Sequence, residues 1–173
     1  MNPRHLPLAL LFTLLTCAQA AAQTCRTETE VPSTTPAGRF LVHGNGTVTD
    51  TATGLIWAQC AEGLSGSACT EGTAAIFTWA DALIRARDST HAGYTDWRLP
   101  NVKELSSIVE ERCYAPAINL AVFPNTPSSV FWSASPYGGS SSGAWGVYFY
   151  DGSANYYYGR SGYGHVRLVR SGQ

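Results

Sequence analysis

The residues best suited to contact another molecule are concentrated between Ser133 and Gly164. Twenty-four of these thirty-two residues are Ser, Gly, Tyr, Asn or Asp, and they include seven of the nine tyrosines. Tyrosine offers a large rigid ring with a polar tip, and Ser, Gly and Asn adapt their hydrogen bonds, as in an antibody paratope. The chemistry that this segment predicts is recognition of a ligand.

A flexible Gly/Ser tail is the alternative, but apolar residues alternate with Gly or Tyr from residue 145 to residue 150. A period of two predicts a strand with one buried face. We expect Trp145, Val147 and Phe149 to enter the core, so that Tyr148 and Tyr150 point outward. The predicted ligand-binding residues are Tyr137, Tyr148, Tyr150, Asn155, Tyr156, Tyr157, Tyr158 and Tyr163.

Residues that could support catalysis are few. Beyond the N-terminal leader the histidines are His43, His91 and His165, each beside Gly or Ala in a turn-like setting typical of surface histidine. No CxxC pair or clustered His indicates zinc. We therefore predict no enzyme activity, no metal and no cofactor. Three residues could ligate calcium through oxygen but are more simply explained as turn caps: Asn45, Asp50 and Asp96.

The N-terminus has the features of a signal peptide. A weakly basic start precedes an apolar run from Leu6 to Leu15, and small-x-small cleavage sites end at Ala20 and Ala22. The run is too short to span a bilayer. We predict a signal peptide over residues 1–22 and an exported protein, periplasmic or extracellular. Lipid attachment through Cys17 is a disfavoured alternative, because the Thr before it is a poor neighbour for a lipidated Cys.

The charge of the chain limits its partners. Eleven Lys and Arg face twelve Asp and Glu, a net charge of −1, and removal of Arg4 with the leader makes it −2. This balance argues against an overall electrostatic grip on nucleic acid, anionic lipid or sulfated polysaccharide. We expect a cell-surface or extracellular glycan or protein as the partner.

Four of the five cysteines follow the leader. An even number in an oxidising compartment predicts two disulfides, for which three pairings are possible. We favour Cys60 with Cys69, because they flank a Gly/Ser-rich loop that a short bridge can close. The remaining pair, Cys25 with Cys113, would attach the mature N-terminus to the end of a predicted helix.

Turn signals divide the first half of the chain. Residues 23–38 are polar and contain prolines, which predicts an extended lead-in before a domain over residues 39–173. Turn sequences at residues 43–46 and 51–54 separate three short apolar or β-branched runs between Phe40 and Gln59. We predict two consecutive hairpins there.

Two helices are predicted in the middle of the chain. The first, TWADALIRARDS, begins at Thr78 with Asp81 three residues later, and the second, NVKELSSIVEE, begins at Asn101 with Glu104 three residues later. Both starts have the spacing of a capping box. With strands again from Phe131 onward, the element order predicts an α+β domain.

Five motifs in order carry a family resemblance: GNGTVTDTATGLIWAQ, FTWADAL, AGYTDWRLPNVKELSSIV, FWSASP and HVRLVR. Together they resemble the Lcl C-terminal domain family, a domain of unknown function named after the terminal domain of a bacterial collagen-like adhesin. The resemblance covers roughly Phe40 to Arg170. It implies a C-type-lectin-like fold with two helices packed on antiparallel sheets, in which both chain ends meet in one sheet. It also implies that Trp97, Leu99 and Trp132 are buried and that Arg98 is a structural hydrogen-bonding residue.

The adhesin binds sulfated glycosaminoglycans through a basic surface, which this chain lacks, so that ligand is not implied here. A second resemblance is to the variable proteins of diversity-generating retroelements, whose C-terminal segments vary at Asn codons to give Tyr, Ser, Gly and Asp. We expect an exported, non-catalytic recognition or adhesion domain. The alternatives are a structural or self-assembling envelope module and, less favoured, an enzyme of unknown type.

Overall fold

The computed structural model describes residues 22–157 and 159–172, with only the backbone of Tyr157. Apart from Ala22, the predicted signal peptide lies outside the described residues, and so does Cys17. No helix in the described ranges is long and apolar enough to cross a membrane. The strands are β1 (Thr24–Cys25), β2 (Phe40–His43), β3 (Thr47–Asp50), β4 (Leu55–Ala58), β5 (Leu64–Ser65), β6 (Glu71–Gly72), β7 (Ile76–Phe77), β8 (Cys113–Tyr114), β9 (Val130–Pro136), β10 (Ala144–Tyr148), β11 (Ser153–Tyr157), β12 (Gly164–His165) and β13 (Val169–Ser171). The helices are α1 (Trp79–Arg87) and α2 (Val102–Ser106).

The predicted hairpins form most of a four-stranded antiparallel sheet with the order β13-β4-β3-β2. The first turn ends at Gly46, whose φ of +83° suits glycine in a three-residue hairpin loop. At the second turn the carboxylate of Asp50 accepts bonds from the Ala52 amide, the Thr53 hydroxyl and the Arg39 guanidinium. The C-terminal strand therefore joins the N-terminal hairpins in one sheet, as the resemblance implied.

A five-stranded sheet, β11-β10-β9-β12-β7, contains the Tyr-rich segment. Both helices contact β9, and α2 also contacts β10. Side chains join these layers, since the Trp79 indole donates to the Ser133 carbonyl at 2.8 Å and the Val102 amide donates to the Ser135 hydroxyl at 3.0 Å. The combination of two helices with antiparallel sheets confirms the α+β class. The finer C-type-lectin-like assignment stays a prediction.

Both predicted helix starts are confirmed. The Thr78 hydroxyl caps α1 by accepting from the Asp81 amide. Asn101 and Glu104 form a complete capping box at α2. The predicted end of α2 is wrong, because the helix stops at Ser106 instead of continuing to residue 111.

Two features end α2 early. The Ser107 hydroxyl donates to the carbonyl of Glu104 at 2.7 Å, a local bond that competes with helix continuation. Glu110 then turns inward, where its carboxylate accepts bonds from Ser33, Thr34 and Thr35 of the lead-in. The lead-in is thus fixed to the domain by a buried carboxylate.

The core consists of two hydrophobic clusters. One includes Trp57, Phe123, Phe131 and Phe149, and the other includes Trp97, Leu99 and Trp132 against α1. The expected burial of Trp97, Leu99 and Trp132 is confirmed. Arg98 is half-buried and forms a two-bond ion pair with Glu104, at 2.7 and 2.8 Å, which agrees with its predicted structural role.

Both predicted disulfides are present. Cys60–Cys69 closes the loop after β4, and Cys25–Cys113 joins β1 to β8 at positions that are also paired in a small antiparallel ladder. The start of the lead-in is therefore held covalently near the segment that follows α2.

Candidate functional site

The predicted ligand-binding residues do not share one face of the sheet. Trp145 lies opposite Tyr156 in the β10–β11 ladder, whereas Tyr148 lies opposite Ser153. Because side chains alternate along a strand, Tyr148 and Tyr156 point to opposite sides. The tyrosines consequently form two separate aromatic clusters.

The first is the Tyr137 cluster, which we define as Tyr137, Trp145 and Tyr156. The rings of Tyr137 and Tyr156 stack in parallel with centroids 4.1 Å apart and an interplanar angle of 7°. Trp145 meets both edge-on, at 5.7 and 6.3 Å. The expectation that Trp145 enters the core is wrong: it is half-buried, whereas Val147 and Phe149 are fully buried.

Glycine allows Tyr137 to lie flat on the loop between β9 and β10. A Cβ atom at Gly139 would lie 2.6 Å from the Tyr137 ring, so a larger residue would displace it. The Tyr137 amide also donates to the Gly143 carbonyl at 3.1 Å. The glycines of this loop thus leave the space in which the Tyr137 ring lies.

Arg160 fixes the same loop from the other side. Its amide donates to the Ser142 carbonyl at 2.7 Å and its Nε to the Gly143 carbonyl at 3.2 Å. The guanidinium lies over the Trp79 ring, 4.3 Å from the centroid, a cation–π geometry. This cation therefore orders the loop beside the Tyr137 cluster.

Two depressions adjoin the Tyr137 cluster. One, of about 280 Å³, lies between Tyr137, Tyr156 and the Gly/Ser loop. The other, of about 470 Å³, lies between Trp145, Ala154 and the outer face of α2. Lys103 is the charged residue at this second groove, and it has no ion pair among the described residues. The Trp145 ring, two serine hydroxyl groups and a cation thus line one apolar groove. Sequence reasoning did not predict a binding surface at Trp145.

The Arg98–Glu104 pair holds α2 beside this groove. The hydrogen bond from Arg98 keeps the pKa of Glu104 below its usual value, although partial burial acts in the opposite direction. Glu104 also accepts from the Asn101 amide at 2.8 Å. The short helix therefore has an ionised cap at neutral pH.

The second is the Tyr114 cluster, which we define as Tyr114, Tyr148 and Tyr150. Tyr148 and Tyr150 have centroids 5.7 Å apart, and Tyr114 meets Tyr150 at 6.3 Å. Sequence reasoning missed Tyr114, which lies outside the Tyr-rich segment and is brought here by β8. Tyr150 also lines a cavity of about 590 Å³, and Ala22 forms part of its wall.

The other predicted residues are dispersed. Asn155 is exposed, donates to the Ser153 hydroxyl at 3.1 Å, and faces away from Tyr156. Tyr163 is 68% exposed. Only the backbone of Tyr157 is described, in β11, and Tyr158 lies outside the described residues. Whether these residues bind a ligand stays a prediction.

His43 and His91 line one cavity, whereas His165 lies in β12. Nε2 of His43 is 2.8 Å from the Thr49 hydroxyl, Nε2 of His91 is 3.0 Å from the Gly46 carbonyl, and Nδ1 of His165 is 3.0 Å from the Ala75 carbonyl. Burial lowers the pKa of His165, and the bond to Ala75 opposes this. Each imidazole therefore has a local structural partner.

The segment Gly139–Gly143 matches the spacing G-x-S-x-G. A nucleophile elbow places its serine between a strand and a helix, whereas this segment joins the antiparallel strands β9 and β10. It is therefore a hairpin loop in the described structure.

The suggested calcium ligands also have structural partners. Asn45 accepts from the Thr47 amide and hydroxyl, and Asp96 accepts from Arg170 at 2.7 Å. Within residues 22–157 and 159–172, no group of three or more His, Cys, Asp or Glu residues is arranged to hold a metal ion.

A family model matches most of this chain. The Lcl C-terminal domain model covers residues 46–170, which begins inside the first hairpin and ends in β13. This match confirms the resemblance drawn from the motifs. No curated protein matches the chain in sequence.

Proposed function

This chain belongs to the Lcl C-terminal domain family, and from that premise we propose that it is an exported, non-catalytic recognition or adhesion domain. Its ligand is a cell-surface or extracellular glycan or protein. The ligand-binding surface is the Tyr137 cluster with the groove along α2.

The observation that carries this proposal is the fixed, stacked arrangement of the rings in the Tyr137 cluster. Tyr137 and Tyr156 are held in parallel at 4.1 Å, and Tyr156 remains 40% exposed. Rings fixed before binding lose little conformational entropy when a ligand packs against them. Aromatic residues of this kind contribute most of the binding energy in many interfaces.

The chemistry of the surface suits an uncharged or weakly charged ligand. A sugar ring or an apolar side chain can stack on Tyr156 and Trp145, while serine hydroxyl groups exchange hydrogen bonds with polar substituents. The net charge of −1 supports this choice over a polyanion.

The Tyr137 cluster is preferred over the Tyr114 cluster for a specific reason. The cavity beside Tyr150 is partly formed by Ala22 and Gln23. Cleavage after Ala22, as the leader predicts, would remove one of these walls. Among the described residues, those that line the two depressions beside the Tyr137 cluster are all far in sequence from the predicted cleavage site.

Paired tyrosine replacements test the proposal. We expect Tyr137→Ala/Tyr156→Ala to weaken binding to a glycan panel or to whole cells on the order of 100-fold or more, since two aromatic anchors are lost. The labelled exported protein is applied to both surfaces, and thermal melts are recorded for every variant.

Tyr114→Ala/Tyr150→Ala is the matched control, because it also removes two partly exposed, contacting rings. It should bind as the parent does. Full binding by the first double variant would disprove the proposed surface, and loss only in the second would transfer it to the Tyr114 cluster. Absence of any ligand, combined with assembly through the Tyr137 cluster, would favour a structural module.

A further inference from the structure

Strand β2 forms an exposed edge of the four-stranded sheet, far in sequence from the Tyr-rich segment. It pairs with β3 on one side and is the last strand in the order β13-β4-β3-β2. Leu41 is 55% exposed and Val42 is 51% exposed. An edge strand with exposed apolar side chains is a template for pairing with another extended chain.

The register shows which backbone groups face outward. The Thr51 amide donates to the Arg39 carbonyl, and the Gly46 amide donates to the His43 carbonyl. Alternate residues of an antiparallel strand form backbone hydrogen bonds to the same neighbouring strand. The carbonyl of Arg39 and the backbone groups of Leu41 and His43 therefore point toward β3. The N–H and C=O of Val42, and the C=O of Phe40, therefore point away from the sheet.

The usual protections of an edge strand are missing from β2. Its sequence, FLVH, contains no Lys and no Pro, and its ladder with β3 runs through four consecutive pairs without a bulge. Proteins commonly use such residues and bulges to prevent edge pairing. The neighbouring Arg39 forms an ion pair with Asp50, so its charge does not project from the edge of the strand.

We propose that β2 pairs antiparallel with β2 of a second copy of this chain, about a two-fold axis at Val42. In this register the N–H of each Val42 donates to the C=O of the other. Leu41 lies opposite His43 of the second copy, so no charged side chain meets its own kind. The two four-stranded sheets become one continuous sheet.

A second copy of the chain is the partner best suited to this edge, because a two-fold contact needs a self-complementary surface. The edge offers a donor and an acceptor at the same residue and no charge, which satisfies that requirement. The contact is short, and it buries less than the ~800 Å² per partner of a standard interface. The dimer is therefore weak and forms at high local concentration.

Sedimentation over a dilution series measures this association. We expect the parent protein to dimerise reversibly at about 10–1,000 μM, and Val42→Lys to raise its dissociation constant at least about tenfold, because like charges directly opposite each other destabilise a strand pair. Ile76→Lys is the control, since Ile76 is 55% exposed on β7 of the other sheet. A parent protein that stays monomeric throughout overturns the proposal, as does an equal effect of both variants.

Cysteine crosslinking tests the register. Directly hydrogen-bonded residues of an antiparallel pair have Cα atoms about 5.5 Å apart, within disulfide range. Two copies of Leu41 would be diagonal neighbours at roughly 7–8 Å, beyond that range. Under mild oxidation Val42→Cys should give a covalent dimer and Leu41→Cys should give little. Equal crosslinking, or none, contradicts the proposed axis.

Discussion

The guanidinium of Arg167 lies fully buried between the two halves of the core. It donates to the carbonyls of Ala58 and Gln59 and to the Thr126 hydroxyl, and it lies 4.8 Å from the Phe123 ring centroid. Burial lowers the pKa of Arg167 to about 9, so the side chain still carries its proton at neutral pH. Carbonyl dipoles and aromatic faces replace a carboxylate partner for this charge.

We predict that Arg167→Ala destabilises the domain by about 3–5 kcal/mol, because it leaves a cavity and three buried oxygen atoms without their donor. Urea unfolding measures the change. Arg87→Ala is the control, since Arg87 pairs with Asp88 on the surface with a side chain 71% exposed. Its effect should be much smaller, because an ion pair this exposed to solvent contributes little to stability. Similar values for the two variants would show that Arg167 contributes no more than a surface arginine.

The sequence could not reveal this role. Arg160, Arg167 and Arg170 are all cations in the C-terminal segment, yet each has a different environment. Arg160 orders a loop, Arg170 pairs with Asp96, and Arg167 is buried. Burial depends on the packing of distant segments, for which one sequence carries no local signal.

Among the helices and strands, the features predicted correctly were those specified by residues close together in the sequence. The capping residues Thr78 and Asn101 act on amides three residues away, so the sequence contains both partners. The end of α2 was missed because the local Ser107 bond to Glu104 is only part of its cause, and the rest depends on Glu110 meeting the distant lead-in at Thr34 and Thr35. The division of the tyrosines between two faces depended on the β10–β11 register, which composition does not specify.

The ionised cap of α2 predicts a pH dependence. The pKa of Glu104 is lowered in the folded protein by the hydrogen bond from Arg98, against an ordinary value of 4.5. The unfolded chain therefore binds more protons in acid, and this stabilisation is present above about pH 4.5 and is lost as the pH falls below it. Asp50 and Glu110, whose pKa values are also lowered, act in the same direction.

We expect Glu104→Gln to reduce stability at pH 7 by roughly 0.5–1 kcal/mol, because the pair is partly exposed to solvent. It should also flatten the decline in the free energy of unfolding between neutral pH and about pH 3. Glu71→Gln on the exposed strand β6 is the control. An unchanged pH profile for Glu104→Gln would mean that the capping carboxylate contributes nothing to acid sensitivity.

For the whole molecule, the disulfides determine how the lead-in is attached. Cys25–Cys113 spans 88 residues and connects the start of the lead-in to the segment after α2, whereas Cys60–Cys69 spans 9 residues within one loop. The even number of cysteines and the loop between Cys60 and Cys69 were sufficient to predict both pairs. Their presence supports an oxidising environment for the folded chain.

The lengths of the two closed loops predict that the disulfides contribute unequally to the free energy of unfolding. Closure entropy of the unfolded chain gives about 4–5 kcal/mol for the longer loop and about 2–3 kcal/mol for the shorter. We therefore expect Cys25→Ser/Cys113→Ser to lower the free energy of unfolding more than Cys60→Ser/Cys69→Ser does. Urea unfolding of the purified proteins measures both, and an intact mass four hydrogens below the all-thiol value verifies the oxidised parent. A larger loss of stability in Cys60→Ser/Cys69→Ser would mean that the short loop around Cys69 is the more important constraint. It would also mean that residues 22–35 contribute little to the folded domain once the longer bridge is removed.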